Sequence, residues 1–102
     1  MQYQSAPTGA LSAADLLKWL DQVADDRDLA PVTSRIATRL AAKLTGSEPR
    51  VELVLDAVAD DLRIGRSTAH RALAALRERG HVLAAPCRGN VLAYQPVLRQ
   101  EA

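Results

Sequence analysis

Apolar residues along the chain recur first at helical spacing and then, near the end, in two short strand-like runs. Ser12 precedes the first periodic segment and can cap a helix start, with Asp15 three residues on in a capping-box-like position. Leu16, Leu17, Leu20 and Val23 then form an apolar stripe with Trp19 beside it. The acidic DDRDLAP run ends this helix. After Pro31, a spacing of Val32, Ile36, Leu40 and Leu44 predicts a second helix, with Thr33 or Ser34 near its start. Arg35, Arg39 and Lys43 fall four apart on another side of it, a basic stripe that reads first as a solvated face and second as a phosphate contact. Gly46 and Pro49 mark a stop and a connector.

The stretch from Glu52 to Val97 organises the remainder. A third helix is expected over Glu52 to Leu62, with Leu53, Val54, Ala57 and Val58 inward and Asp56, Asp60 and Asp61 in water. Ala59 leaves room for a close helix approach, and Ile64 can plug the angle after it. Gly65 stands at the entrance to a fourth helix running to Glu78. Its inward face is Ala69, Ala72, Leu73 and Leu76; Arg66, Ser67, His70 and Arg71 project from the other side. Gly80 ends that helix. His81 to Ala85 reads as a strand, Pro86 to Asn90 as a turn and Val91 to Tyr94 as the return strand, with the Tyr94 ring at the sheet edge.

Two helices, a tight turn and a hairpin in that order predict a mainly α fold with a small β-hairpin wing: a winged helix-turn-helix. The 102 residues divide into a loose lead-in at 1–10, one domain at 11–98 and a tail at 99–102. With aromatics at only 3% and no phenylalanine, Leu, Val, Ile and Ala must fill the core. Trp19 either closes that core or meets a second subunit. Leu16, Trp19, Leu20 and Val23 are the candidate dimer contacts, since so small a domain gains from a partner.

A formal net charge of +1 hides two unlike halves. Up to Asp61, six basic residues face ten acidic ones; from Leu62 to Arg99, seven arginines face the single acid Glu78. The switch falls at the turn between the third and fourth helices, so a phosphate surface would be drawn to the second half. The lead-in, with no Lys or Arg, makes a poor DNA arm. Cys87 has no partner for a disulfide; beside Arg88 its thiolate would be slightly favoured, but no base stands nearby. No carboxylate pair, phosphate loop, nucleophile system or metal shell is recognisable, so no catalytic residue, cofactor or metal is expected and the chain does not read as an enzyme. No basic-then-apolar leader and no membrane-length apolar run occur, which makes the cytoplasm the expected location.

The segment LVLDAVADDLRIGRSTAHRALAALRERGHV resembles the two-helix core and wing entry of bacterial winged helix-turn-helix proteins from plasmid, phage and transcription-control systems. Upstream, WLDQVADDRDLAPVTSRIATRLAAKL looks like the helical lead-in of some small members, so the resemblance covers about residues 16 to 95. It implies a DNA-reading helix from Arg66 to Glu78 and a wing centred on Arg88. Family members often carry a GVS-like turn; Arg63, Ile64 and Gly65 stand here instead. Arg63 suits a left-handed turn less well than glycine, and Gly65 caps less strongly than Ser or Thr.

On this reading Arg71 is the foremost base-edge residue, its two donors matching guanine O6 and N7. Arg66 would share that task or clamp phosphate; Ser67 and Thr68 would hold phosphate near the helix N-terminus; His70 would donate one bond to a base. Arg88 would enter a minor groove or touch phosphate. Arg77 and Arg79 would solvate the helix, and Glu78 would face away from phosphate. The expected function is sequence-selective binding to double-stranded DNA by a homodimer, as a transcription repressor or a plasmid or phage replication-control protein, with an additional regulatory protein as a further partner. The competing reading is a protein-interaction adaptor on the same scaffold.

Overall fold

The computed structural model describes residues 11–44, 48–89 and 91–99. They form an α+β domain of four helices and a three-stranded antiparallel sheet: α1 (Ala13–Ala24), α2 (Pro31–Lys43), β1 (Val51–Leu53), α3 (Leu55–Leu62), α4 (Arg66–Glu78), β2 (Val82–Arg88) and β3 (Val91–Pro96). The expected lead-in at 1–10, the Gly46 stop and the tail beyond Arg99 lie outside the described residues.

Local signals set most helix ends. The Ser12 hydroxyl accepts from the Asp15 amide at 3.1 Å and starts α1. Pro31 occupies the first turn of α2, where its missing N–H costs nothing. Both α3 and α4 end in a left-handed residue with the two backbone bonds of a Schellman motif. At α3, Arg63 (φ 57°) donates to the Asp60 carbonyl and Ile64 to the Ala59 carbonyl. At α4, Gly80 (φ 80°) donates to Arg77 and His81 to Leu76. Ile64 packs on the core directly after its turn, as its position requires.

Helical spacing then decides which side chains are buried. In α1 the inward face is Leu16, Trp19 and Val23 with Leu20 packed beside them, while Leu17 points to solvent. Trp19 is therefore at the centre of the stripe rather than next to it. Val32, Ile36, Leu40 and Leu44 line the inner side of α2 as expected, joined by Thr33, Ala37 and Ala41. Thr33 is buried with no partner for its hydroxyl among the described residues.

The third helix begins later than its sequence predicts. Val51–Leu53 pair with β3 instead, Val51 opposite Tyr94 and Leu53 opposite Leu92. A helix starting at Leu55 turns Leu55, Val58, Ala59 and Leu62 inward, so Val54 and Ala57 are exposed rather than buried. Leu53 is buried, but as a strand residue.

The sheet order is β1-β3-β2, which makes β3 central. Tyr94 accordingly lies buried inside the sheet and not at its edge. Burial pushes its phenol pKa up, against the opposing charge of Arg77. The hairpin is longer than its sequence suggests: Pro86, Cys87 and Arg88 belong to β2, and the reversal comes at Gly89 (φ 51°). Pro86 is tolerated because β2 is an edge strand and the register shifts between Pro86 and Arg88.

His81, expected to open the first hairpin strand, instead sits just before β2, fully buried. Its carbonyl accepts from Trp19 Nε1 and from the Val97 amide, each at 2.8 Å. The Arg99 amide donates to Gln22 Oε1, which leaves Gln22 Nε2 to donate to His81 Nδ1 and to the Val97 carbonyl. His81 Nε2 therefore carries the hydrogen and donates to Asp26 Oδ2 at 2.8 Å. Arg79 Nε meets the same oxygen at 2.5 Å, and the hydrogen bonds from Arg79 first and His81 second hold the Asp26 carboxyl far below the usual aspartate range. This network fastens α1 to the end of α4 and to the chain after β3.

Candidate nucleic-acid interface

α4 rests on α2 and α3 through Ala69, Ala72, Leu73 and Leu76, all buried. Small alanines at this contact let the helices approach closely and leave the opposite side of α4 uncovered. Gly65 is the N-cap and provides no side-chain bond, so the first amides of α4 stay open. A Cβ at Gly65 would meet Thr68 Oγ1 at 3.8 Å, an ordinary contact, so glycine is not required there by crowding.

Two lines of side chains run along the uncovered side. Ser67, Arg71 and Glu78 share the outermost line by their spacing of four and seven, and all three are exposed. Glu78 thus lies on the Arg71 line and not turned away from it, about 10 Å further along the axis at 1.5 Å per residue. Arg66, His70 and Arg77 share the second line and rim a hollow of about 280 Å³ floored by Leu53, Leu55, Leu73, Ala74, Leu92 and Tyr94. Thr68 is half-buried at the flank of the first turn. The Arg71 side chain makes no hydrogen bond or ion pair with any described residue.

Arg66 and Arg88 are both well exposed, yet each is engaged. Arg66 Nε lies 2.6 Å from Asp56 Oδ1, at the start of α3. Arg88 donates to Glu52 Oε1 from Nη2 at 2.9 Å and from Nε at 3.1 Å. Glu52 also accepts from the Cys87 thiol at 3.0 Å through its other oxygen. The thiol and Arg88 together lower the Glu52 pKa. Glu52 in turn pushes the Cys87 thiol pKa up, outweighing Arg88, so the expected slight favour to a thiolate is reversed.

The other basic residues divide. Arg35 donates to the Leu62 carbonyl and closes the end of α3, and Arg39 pairs with Asp61 at 3.1 Å. Arg79, expected to solvate the helix, pairs with Asp26 and Asp28. The expected dimer stripe is used internally: Leu16, Trp19 and Val23 are buried in the chain's own core, and Leu20 packs against it. Sequence reasoning missed Glu52 and Asp56, because their spacing says nothing of the arginines folded onto them.

A larger hollow of about 680 Å³ lies elsewhere, its lining divided between the acids Asp15, Asp21, Asp25 and Asp26 and the bases Lys18, Arg27, Arg79 and Arg99. With as many acids as bases it presents no net positive charge to phosphate, so size alone does not identify the interface here. Among the described residues no group of three His, Cys, Asp or Glu is placed to hold a metal ion, and no helix is long and apolar enough to cross a membrane. Compared with known protein families, curated proteins and solved structures, the chain matches none.

Proposed function

We propose that this chain is a winged helix-turn-helix protein that binds double-stranded DNA sequence-selectively, as a transcription regulator or a plasmid or phage replication-control protein. The observation that supports it best is the free, exposed guanidinium of Arg71 on α4, one turn from Ser67 and the open N-terminal amides. In this reading α4 enters a major groove, α3 crosses the backbone and the β2–β3 hairpin serves as the wing. Arg71 reads a base edge; Arg66, Ser67 and Thr68 hold the adjoining phosphates; His70 reaches the groove beside them. Arg88, near the hairpin tip, contacts a minor groove or its phosphates.

One such helix covers only a short site, so the active form is a homodimer reading two half-sites about one helical turn apart. Its contact surface falls outside the buried Leu16, Trp19 and Val23. A protein-interaction adaptor is the second reading, favoured by the two arginines already paired within the chain and by Leu17, 68% exposed on α1.

Selection from a random duplex library, followed by a salt series on the winner and on random DNA, tests both. A preferred duplex that outbinds random DNA supports base reading; salt-sensitive binding with no preference supports phosphate contact alone. Failure to retain any duplex at low ionic strength, together with capture of a defined protein partner, would establish the adaptor.

A further inference from the structure

β1 and the first turn of α3 each place a carboxylate directly on one of the arginines that the DNA reading employs. Asp56 takes Arg66 at 2.6 Å, and Glu52 takes Arg88 at 2.9 Å. One arginine opens α4 and the other closes β2, so the two acids act on two separate contacts of the DNA reading, one on the helix and one on the hairpin. All four side chains are substantially exposed, from 42% for Glu52 to 74% for Asp56. Exposed pairs of this kind are weak and open readily. They do not hold the fold together, and they do not bar a stronger acceptor.

We infer that Glu52 and Asp56 are specificity-determining residues: they neutralise Arg88 and Arg66 until a fitted DNA site draws those arginines away. The inference rests on the DNA reading above. Attraction to random DNA depends on free positive charge and on phosphates neutralised. With both pairs closed, that attraction falls to residues such as Arg71 and Arg77. A duplex whose base edges fit Arg71 brings its phosphates close enough to exchange with the two carboxylates. A mismatched duplex stays at longer range, where the arginines remain with their acids. The acids therefore depress random binding more than specific binding.

The experiment compares wild type with Glu52→Gln, Asp56→Asn and the double variant, on a selected duplex and on a random one. Each carboxylate removed should raise random-duplex affinity about threefold, the effect of one unit charge roughly 7 Å from a phosphate in water. The salt slope on random DNA should steepen by about 0.9 for each arginine freed. Selected-duplex affinity should rise less, so the ratio between the two falls. A further pair of proteins, Arg66→Ala with and without Asp56→Asn, isolates the mechanism. Without Arg66, removing the Asp56 charge should not steepen the slope. Circular dichroism of each variant confirms that the fold is intact.

Selected-duplex binding by wild type with random-duplex affinity and slope unchanged in the double variant would overturn the inference while leaving the DNA reading intact. An equal gain from Asp56→Asn in the Arg66→Ala background would overturn it too, since the carboxylate would then only repel phosphate. No duplex binding by wild type or the double variant would sink the DNA reading itself.

Discussion

The indole Nε1 of Trp19 donates to the His81 carbonyl at 2.8 Å, joining the middle of α1 to the residue that follows α4's last turn. Sixty-two positions separate the two residues in sequence. Trp19 is fully buried, so the contact is both a packing and a hydrogen-bonding anchor. Trp19→Phe should cost about 2 kcal/mol, combining a lost bond with a small void. Trp19→Ala should cost about 3–5 kcal/mol. Urea denaturation followed by circular dichroism measures both, and unchanged midpoints would contradict this placement.

Acid should weaken the same region. The Asp26 carboxyl is held below its ordinary value by Arg79 first and His81 second. A depressed carboxylate contributes stability that is present above the unfolded value, about pH 4, and is lost as pH falls toward the folded one. Stability should therefore decline below about pH 4, with protons taken up on unfolding. Asp26→Asn should be less stable at neutral pH and should flatten that acid limb. Denaturant midpoints from pH 2 to 7 give the comparison.

Arg63 adopts a left-handed conformation that glycine adopts without strain. Arg63→Gly should stabilise the fold by about 1 kcal/mol, because relief of the Cβ clash exceeds the added chain entropy. Gly80→Ala should act in the opposite sense by a similar amount, since Gly80 has φ 80°. Paired thermal melts of the two variants would reveal whether the Schellman turns behave alike.

Arg71→Ala should lower affinity for a selected duplex by about 1–3 kcal/mol and relax preference at one base position. Arg88→Ala should weaken the selected duplex more than the random one, because Glu52 already holds Arg88 back from random DNA, and should lower the salt slope on the selected duplex by about one without relaxing any base preference. Fluorescence anisotropy on both duplexes separates these outcomes. Equal behaviour of the two variants would mean that Arg71 touches only backbone.

Much of this architecture could be read in advance where the cause is local. Ser12 caps its own helix, Pro31 begins the next, and Gly80 ends the fourth, each through atoms within a few residues. β1 could not be read this way, because Val51–Leu53 become a strand only by pairing with residues some forty positions later. A helix drawn from Glu52 shifts the apparent inner face of α3 and turns Val54 and Ala57 the wrong way. The four arginine and histidine positions on the open side of α4 follow from helical spacing alone. What periodicity could not supply is the company they keep: Asp56 on Arg66 and Glu52 on Arg88 arise from tertiary placement. His81 likewise looked like an ordinary strand residue until Gln22 and Asp26 arrived from α1 and the loop after it.

The two outer strands of the sheet are built unlike its centre. β1 is three residues long, and β2 carries Pro86 with an irregular step beside it. A neighbouring chain seeking to add itself to either border finds too short a template on one side and a broken rhythm of donors on the other. Crowded copies of the domain are thereby discouraged from stacking into an extended ribbon, even though the end of β2 from Pro86 to Arg88 is exposed.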